Sequence, residues 1–466
     1  MKLLLVCPDY ASHMEPMLQI AAEWQRCAGP VVVATGTAVR PNVERRGLAW
    51  TDLRLGRGSN GGVIRADEQP VGEDDHLREF FAATRSGAVV TLRYQAAARR
   101  QDLLFEPRRI MIELAAIIAE VQPDRILVDH VAFGARLALH ALGVIPATIV
   151  LGHPTALPAP GELYGLPPVW PTCLQPDADE LAELIRICAD STTDLTRDAN
   201  AMLDDASADH PRLDDLTSLA GRPTIYMYPS ALHDPKRPLP PGAVSIGTLR
   251  TSGAPPTSAA MALDSATAAD AAPATATAGA PARATATDVD VGAPDVALPT
   301  GEGPLVLVAF GTFLSARDDV LRIAVQAAHL GPWRLALATG STDVATLGPL
   351  PAGALVEEYL PQVALLEHAD VLVTHGGNNS VTEACAAGVP MVVLPMSTDQ
   401  FAGAAAIERA GIGIALDPNT VTAEQLRDAV LAITGDQTGE RIGAVAESVR
   451  RDGGPTAAVH AIAGTR

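Results

Sequence analysis

Residues 359–400 read YLPQVALLEHADVLVTHGGNNSVTEACAAGVPMVVLPMSTDQ. Val371-Leu372-Val373 is an apolar run of strand length, and it leads into His375-Gly376-Gly377, where two glycines let the backbone turn sharply and approach a ligand closely. A helix is expected next. Asn378, Asn379 and Ser380 are N-cap types, Val381, Ala384 and Cys385 share one face, and Gly388 with Pro390 marks the stop. A strand, glycine turn and helix in this order aim unpaired backbone N–H groups, backed by the helix dipole, at whatever lies beyond the strand's carboxyl end. That geometry suits a phosphate. Ser380-Val381-Thr382-Glu383 also has the spacing of a capping box, in which Ser and Glu only satisfy each other's backbone N–H groups, so the turn alone supports both readings.

The rest of the stretch decides between them. Tyr359, Pro361-Gln362, His375-Gly376-Gly377, Asn379-Ser380, Glu383, Gly388-Val389-Pro390 and Asp399-Gln400 follow one another in an order that resembles the nucleotide-sugar signature of the UDP-glycosyltransferase superfamily, glycosyltransferase family one, including its antibiotic-tailoring bacterial members. The resemblance implies that Tyr359 and Gln362 hold the base, His375, Asn379 and Ser380 the diphosphate, Glu383 the ribose, and Asp399 with Gln400 the sugar hydroxyls. It further implies a GT-B fold, with two Rossmann-like doubly wound α/β domains facing across a cleft. The match is strong from Leu305 to Pro418 and weak elsewhere. Tyr359 and Asn378 both stand where plant members have Trp, and Gly403 stands where many members have Asn, so the base-stacking and diphosphate details and the sugar preference differ.

Length and composition agree with such an architecture. The 466 residues suffice for two or three domains, and a chain that is 48% hydrophobic but only 4% aromatic must build its core from Ala, Val, Leu and Ile. A net charge of −20 repels nucleic-acid backbones and anionic membrane surfaces. The five cysteines, Cys7, Cys27, Cys173, Cys188 and Cys385, show no CxxC spacing, which argues against a zinc site or a disulfide framework and suits a reducing cytoplasm. The apolar start, Met1 to Val6, is broken by Pro8 and Asp9 and is too short for a signal peptide, and no run is long enough to span a bilayer.

Along residues 1–250 strands are expected at Leu3–Cys7, Val31–Ala34, Arg125–Val128, Ala147–Leu151, Thr224–Tyr228 and Val244–Ile246, alternating with helices in the doubly wound manner, and the resemblance makes this the acceptor-binding domain. Loops at Gly56–Gly62 and His153–Pro171 interrupt the alternation. Phe133, Tyr164 and Trp170 either line a flat apolar pocket there or pack loops onto the core. Residues 251–300 are almost pure Ala, Thr, Pro, Ser, Gly and Asp, the composition of a disordered linker. Their Asp288-Val289-Asp290 resembles the metal-binding DxD of a different glycosyltransferase fold, but a metal site needs rigidly held ligands. Residues 301–466 carry the second α/β unit, with strands at Leu305–Phe310, Arg334–Ala338, Val371–Val373 and Met391–Leu394, and Gly311-Thr312 as its first turn on the donor side. The last segment, from Gly453, starts a helix that in the family packs back across the domains.

Attack by an acceptor hydroxyl needs a base. Ser12-His13-Met14-Glu15-Pro16 has capping-box spacing, which puts His13 at the first helical position, where the helix dipole disfavours protonation. The family also has a His followed by x-x-Pro here as its base, and Asp129, at the end of Ile126-Leu127-Val128, matches the Asp that orients it. His130 is the rival to Asp129, expected on the other face of a continuing strand, and Asp9 is a weaker competitor. The resemblance thus implies a metal-independent, inverting hexosyl transfer from a UDP- or dTDP-sugar to a hydroxyl of a lipophilic small molecule, with no cofactor beyond the donor. A nucleotide-sugar 2-epimerase or hydrolase, and a catalytically silent partner of a transferase, are the competing readings on the same fold.

Overall fold

The computed structural model describes residues 1–58, 73–206, 211–249 and 296–464, so residues 59–62 of the first glycine-rich loop, most of the expected linker and Asp288-Val289-Asp290 lie outside the described residues. Two sheets organise the chain. The first has the order β3-β2-β1-β4-β5-β6-β7, built from Ala49–Asp52, Val31–Thr35, Leu3–Val6, Arg125–Asp129, Ala147–Val150, Thr224–Tyr226 and Val244–Ser245. The second runs β10-β9-β8-β11-β12-β13, from Leu355–Glu357, Arg334–Ala338, Leu305–Ala309, Val371–Thr374, Met391–Val393 and Gly413–Ala415. Every pairing is parallel. Both sheets therefore reverse their winding at one place, between β1 and β4 in the first and between β8 and β11 in the second, and ligands of such sheets bind beyond the carboxyl ends at that reversal.

The central strands are apolar on both faces because helices cover both. Leu3, Leu4, Leu5 and Val6 of β1 and Leu305 and Leu307 of β8 have no exposed surface. Strands at the edges are partly exposed, as in Ala49–Asp52, Leu355–Glu357 and Gly413–Ala415. The helix Ala11–Cys27 lays Met14, Met17, Ile20, Ala21 and Trp24 on the first sheet. The final helix, Gly454–Ala463, adds Ala458, Val459 and Ile462 to the same core, so the chain's end crosses back to the first domain. Its backbone is held there by Arg125, whose Nε donates to the Ile462 carbonyl at 3.1 Å, and by Thr456, whose hydroxyl donates to Glu23 at 2.9 Å.

A helical hairpin of the first domain clasps the second. Helix Glu73–Ser86 leads into Ala88–Asp102, and Phe80 and Phe81 bury themselves with Phe310, Leu314 and Val320 of the second domain. Arg317, 1% exposed, reaches from the second domain to the Thr84 carbonyl (3.2 Å), Asn419 Oδ1 (2.9 Å) and the Asp319 carboxylate (2.8 and 2.7 Å). The Thr84 carbonyl also accepts from Asn419 Nδ2 at 3.0 Å. Among the described residues, no helix is long and apolar enough to cross a membrane.

The expected aromatic pocket is not one group. Phe133 packs edge-on to Tyr164, centroids 5.4 Å apart, whereas Trp170 lies 5.3 Å from Phe401 of the second domain. These rings are anchors for the loops, Phe133 and Tyr164 in one cluster and Trp170 in another.

Candidate active site

His13 and Asp129 stand at the winding reversal of the first sheet, and Gly311 and His375 at that of the second. His13 follows β1 and Asp129 ends β4, so adjacent parallel strands deliver both to one edge of the first sheet. His13 Nδ1 lies 2.7 Å from Asp129 Oδ2, with the imidazole 23% exposed and the carboxylate fully buried. Because Nδ1 is occupied by the carboxylate, Nε2 is the nitrogen left to take a proton.

The local helix start differs from the capping box expected for Ser12 and Glu15. The helix begins at Ala11 with Tyr10 as its uncapped N-cap residue, so His13 is its third residue, and Glu15 pairs with Arg46 at 2.6 Å. Burial opposes charging of His13, but the Asp129 charge and hydrogen bond outweigh it and raise its proton affinity. The expectation that the helix dipole lowers it is therefore corrected: a buried carboxylate at contact distance dominates a partial charge. Burial also works against ionisation of Asp129, yet His13 and His130 together hold its carboxyl far below the usual carboxylate range.

The second correction concerns His130. It sits in a turn, not a continuing strand, and its Nδ1 is 3.0 Å from Asp129 Oδ1 while its ring stacks on His13 at 6.0 Å and 27°. Period-two alternation holds only while the strand lasts, and β4 stops at Asp129. Asp9 is directed instead toward Gly36, where an added Cβ would lie 2.3 Å from its carboxylate oxygen.

On the second sheet, Gly311 follows β8 and His375 follows β11. Gly311 has φ +68°, and a Cβ there would stand 3.1 Å from His375 Cε1, so a side chain would crowd the imidazole. Gly376 turns the chain with φ +83°, and a Cβ on Gly377 would fall 2.3 Å from His375 Nε2. Burial pushes the His375 imidazole down to about 4, and its Nδ1 has no hydrogen-bond partner. The Thr312 side chain lies outside the described residues.

Helix Asn378–Ala387 starts at this turn with Gly377 as N-cap residue and no side-chain cap. The capping box open to Ser380 and Glu383 does not form. Gln362 Nε2 donates to Ser380 Oγ at 3.1 Å and to Glu383 Oε2 at 2.7 Å, which joins three of the expected donor-binding residues in one cluster. Tyr359, 36% exposed, stands beside it, its hydroxyl pushed up to about 12 by burial and by Glu383 and Glu15.

Across the cleft the two halves touch. Asn379 Nδ2 donates to the Ser12 carbonyl at 2.9 Å, one residue from His13, and Asn378 Nδ2 donates to both Leu151 O (2.9 Å) and Met227 O (2.8 Å). Asp399 Oδ2 accepts the His153 backbone N–H at 2.5 Å, while Thr398, a β-branched residue at φ +54°, donates its hydroxyl to Oδ1 at 2.9 Å. A left-handed β-branched residue is strained, and such strain gathers at ligand clamps. Gln400 is placed apart from Asp399. Its amide closes its own turn, accepting from Met396 N at 3.0 Å and Ser397 N at 3.1 Å and donating to Ser397 Oγ at 3.2 Å. Sequence reading missed His153 and Asn378 as cross-cleft residues; their contacts join segments distant in the chain and leave no local pattern. Among the described residues no group of three or more His, Cys, Asp or Glu is placed to hold a metal ion.

Residues 335–462 match the family model described as erythromycin biosynthesis protein CIII-like, C-terminal domain. Demethyllactenocin mycarosyltransferase of Streptomyces fradiae is 36% identical over 168 residues, a match that spans 36% of this chain and only 36% of that protein. The 4'-demethylrebeccamycin synthase of Lentzea aerocolonigenes is 25% identical over 433 residues, covering 90% of this chain and 89% of the relative. In fold, the chain is similar to the calicheamicin glycosyltransferase CalG4, with a TM-score of 0.65 at 18% identity over 99% of this chain and 97% of that one. With two parallel-sheet domains in the GT-B arrangement and a C-terminal half that matches this family model, the chain resembles the bacterial natural-product glycosyltransferases of the UDP-glycosyltransferase superfamily, glycosyltransferase family one.

Proposed function

We propose that the protein moves a sugar from a UDP- or dTDP-sugar to a hydroxyl of a lipophilic small molecule, with inversion at the anomeric carbon and without a metal. The observation that carries this reading is the 2.7 Å His13–Asp129 pair at the reversal of one sheet, beside the glycine turn and helix start at the reversal of the other. In the proposed step the acceptor O–H gives its proton to His13 Nε2 as its oxygen attacks the anomeric carbon. The bond from that carbon to the diphosphate oxygen breaks on the opposite face. Asp129 holds the imidazole in the Nδ1–H tautomer and stabilises the cation that forms.

Negative charge arriving on the leaving diphosphate is met by the first N–H groups of helix Asn378–Ala387, by the Asn379 and Ser380 side chains and by His375. His375, neutral and with its Nδ1 unpartnered, is suited to this role, because a dianion beside it favours its charged form. Gln362, Glu383 and Tyr359 are assigned to the nucleoside, and Asp399 to the sugar. Asn379 and Asp399 bond the first domain's backbone, so donor binding exchanges those contacts for ligand ones.

Incubation with a panel of UDP- and dTDP-sugars and hydroxylated aglycones, read by mass spectrometry and by anomeric coupling constants of the product, tests the proposal. Products of inverted configuration are expected. Donor epimerisation or hydrolysis with no acceptor dependence would instead support the epimerase reading, and donor binding without turnover the silent partner.

A further inference from the structure

We infer that Asn378 is a positioning residue of the transfer step: its side-chain amide pins the start of the diphosphate-binding helix to the carboxyl edge of the first sheet, and so sets how far the anomeric carbon lies from His13. The inference deepens the proposed function and rests on its assignment of base and diphosphate to opposite sides of the cleft.

Asn378 Nδ2 carries two hydrogens, and both are given to the first domain, one to Leu151 O at 2.9 Å and one to Met227 O at 2.8 Å. Leu151 follows β5 and Met227 follows β6, and these strands pair in parallel with Val150 opposite Tyr226, so the two carbonyls stand side by side at the sheet edge. Next along that edge is β4, which ends in Asp129, and after it β1, which leads to His13. Asn379 reaches this far end, where its Nδ2 donates to Ser12 O at 2.9 Å. Two successive asparagines at one helix start thus span the edge of four adjacent strands.

The two amides are not equivalent. The Asn379 bond to Ser12 is exposed, and that side chain is assigned to the diphosphate, so a donor can take its place. The Asn378 bonds are part-buried, and their acceptors belong to residues only 4% and 2% exposed. Withdrawing the amide would take a donor from two carbonyls at the ends of buried strands, which costs more than giving up an exposed bond. Asn378 therefore keeps its grip while Asn379 and Asp399 change partners. With both hydrogens engaged, Nδ2 has none to offer the diphosphate, and its influence passes through the helix start whose backbone N–H groups meet the leaving oxygen. Attack needs the reacting atoms about 3–3.5 Å apart, and a misplacement of about 1 Å can cost roughly 10²-fold in rate.

The test removes the amide from the full chain with Asn378→Ala and with Asn378→Leu, which fills nearly the same volume without donating and covers the case in which Ala prevents folding. Hydrogen exchange of the 151–157 peptide reads the cleft itself, because the His153 N–H in it is held across the cleft by Asp399. In the nucleotide-free protein this exchange should quicken by about 10–30-fold, the equivalent of two net hydrogen bonds. Calorimetry should find binding of UDP or dTDP, whichever the wild type takes, weakened by no more than about threefold, while single-turnover transfer falls by about 10-fold or more. Exchange unchanged in both variants overturns the inference. So does nucleotide affinity lowered by more than about tenfold, which would make Asn378 a diphosphate ligand, and so does transfer within about threefold of wild type. Exchange and nucleotide affinity need no sugar transfer, so a wild-type chain that transfers no sugar would sink the proposed function while these two measurements still decide the tie across the cleft.

Discussion

Replacing Asp129 by Asn tests the proposed mechanism most sharply, because the site fixes which way the amide must lie. All three hydrogen-bond partners of the carboxylate are donors: His13 and Cys7 on one oxygen, Val131 N–H on the other. An amide has one acceptor and one donating end, so one side must meet a donor with a donor. The Val131 N–H cannot change, whereas an imidazole can move its proton. The amide oxygen therefore faces Val131, and its NH2 faces His13, forcing His13 to accept at Nδ1 and carry its proton on Nε2. That is the nitrogen the acceptor hydroxyl needs vacant. Turnover should fall by roughly 10²–10⁴, about 3–5 kcal/mol of barrier, approaching the loss in His13→Ala. From sequence alone the Asn variant is expected to be the milder of the two, since the base is still present; the donor shell removes that distinction. Single-turnover rates with saturating donor read the barrier, and calorimetry should find donor affinity nearly unchanged because Asp129 belongs to the other domain. An Asp129→Asn enzyme working within threefold of wild type would refute the tautomer argument.

Acidification supplies a further test. His375 and His153 are held down to about 4 and about 3 by burial, against an ordinary 6.5. The unfolded chain thus binds protons that the folded chain refuses, and stability should fall as pH drops from about 6.5 toward 4, with His375→Asn flattening that fall in thermal melts. Transfer should persist in excess EDTA, since the diphosphate is assigned to His375, Asn379, Ser380 and backbone N–H groups; loss of activity restored by magnesium or manganese would contradict this. Arg317→Ala strips a buried guanidinium from the Thr84 carbonyl, Asn419 and Asp319 and should cost about 2–3 kcal/mol in urea denaturation, less than a fully buried pair because Asp319 is 37% exposed.

The winding of both sheets was legible in the sequence because their central strands are continuous apolar runs, such as Leu3–Val6 and Leu305–Ala309, set between helices of clear period. The signature from Tyr359 to Gln400 marked the donor side for the same reason: its spacing is local. Three edge strands, β3, β10 and β13, went unread, being three or four residues long and partly exposed. The hairpin that carries Phe80 and Phe81 was also missed, since its partner surface lies more than 200 residues away in the chain. His130 was misplaced for a subtler reason. Alternation of faces was extended one residue past the end of β4, where the backbone turns and both neighbours face one site.

The returning helix Gly454–Ala463 bears on how this chain can be recombined. Exchanging acceptor specificity by joining the front of one such protein to the back of another at residues 250–300 would cut along the sequence but not along the core. Trp24, Leu3 and Leu5 would then meet a foreign final helix in place of Ala458, Val459 and Ile462. Burial of side chains this size is worth about 1.5–3 kcal/mol each, enough for a mismatch to decide whether the hybrid folds. A working graft takes residues 454–464 with the front half, which makes it a two-crossover exchange.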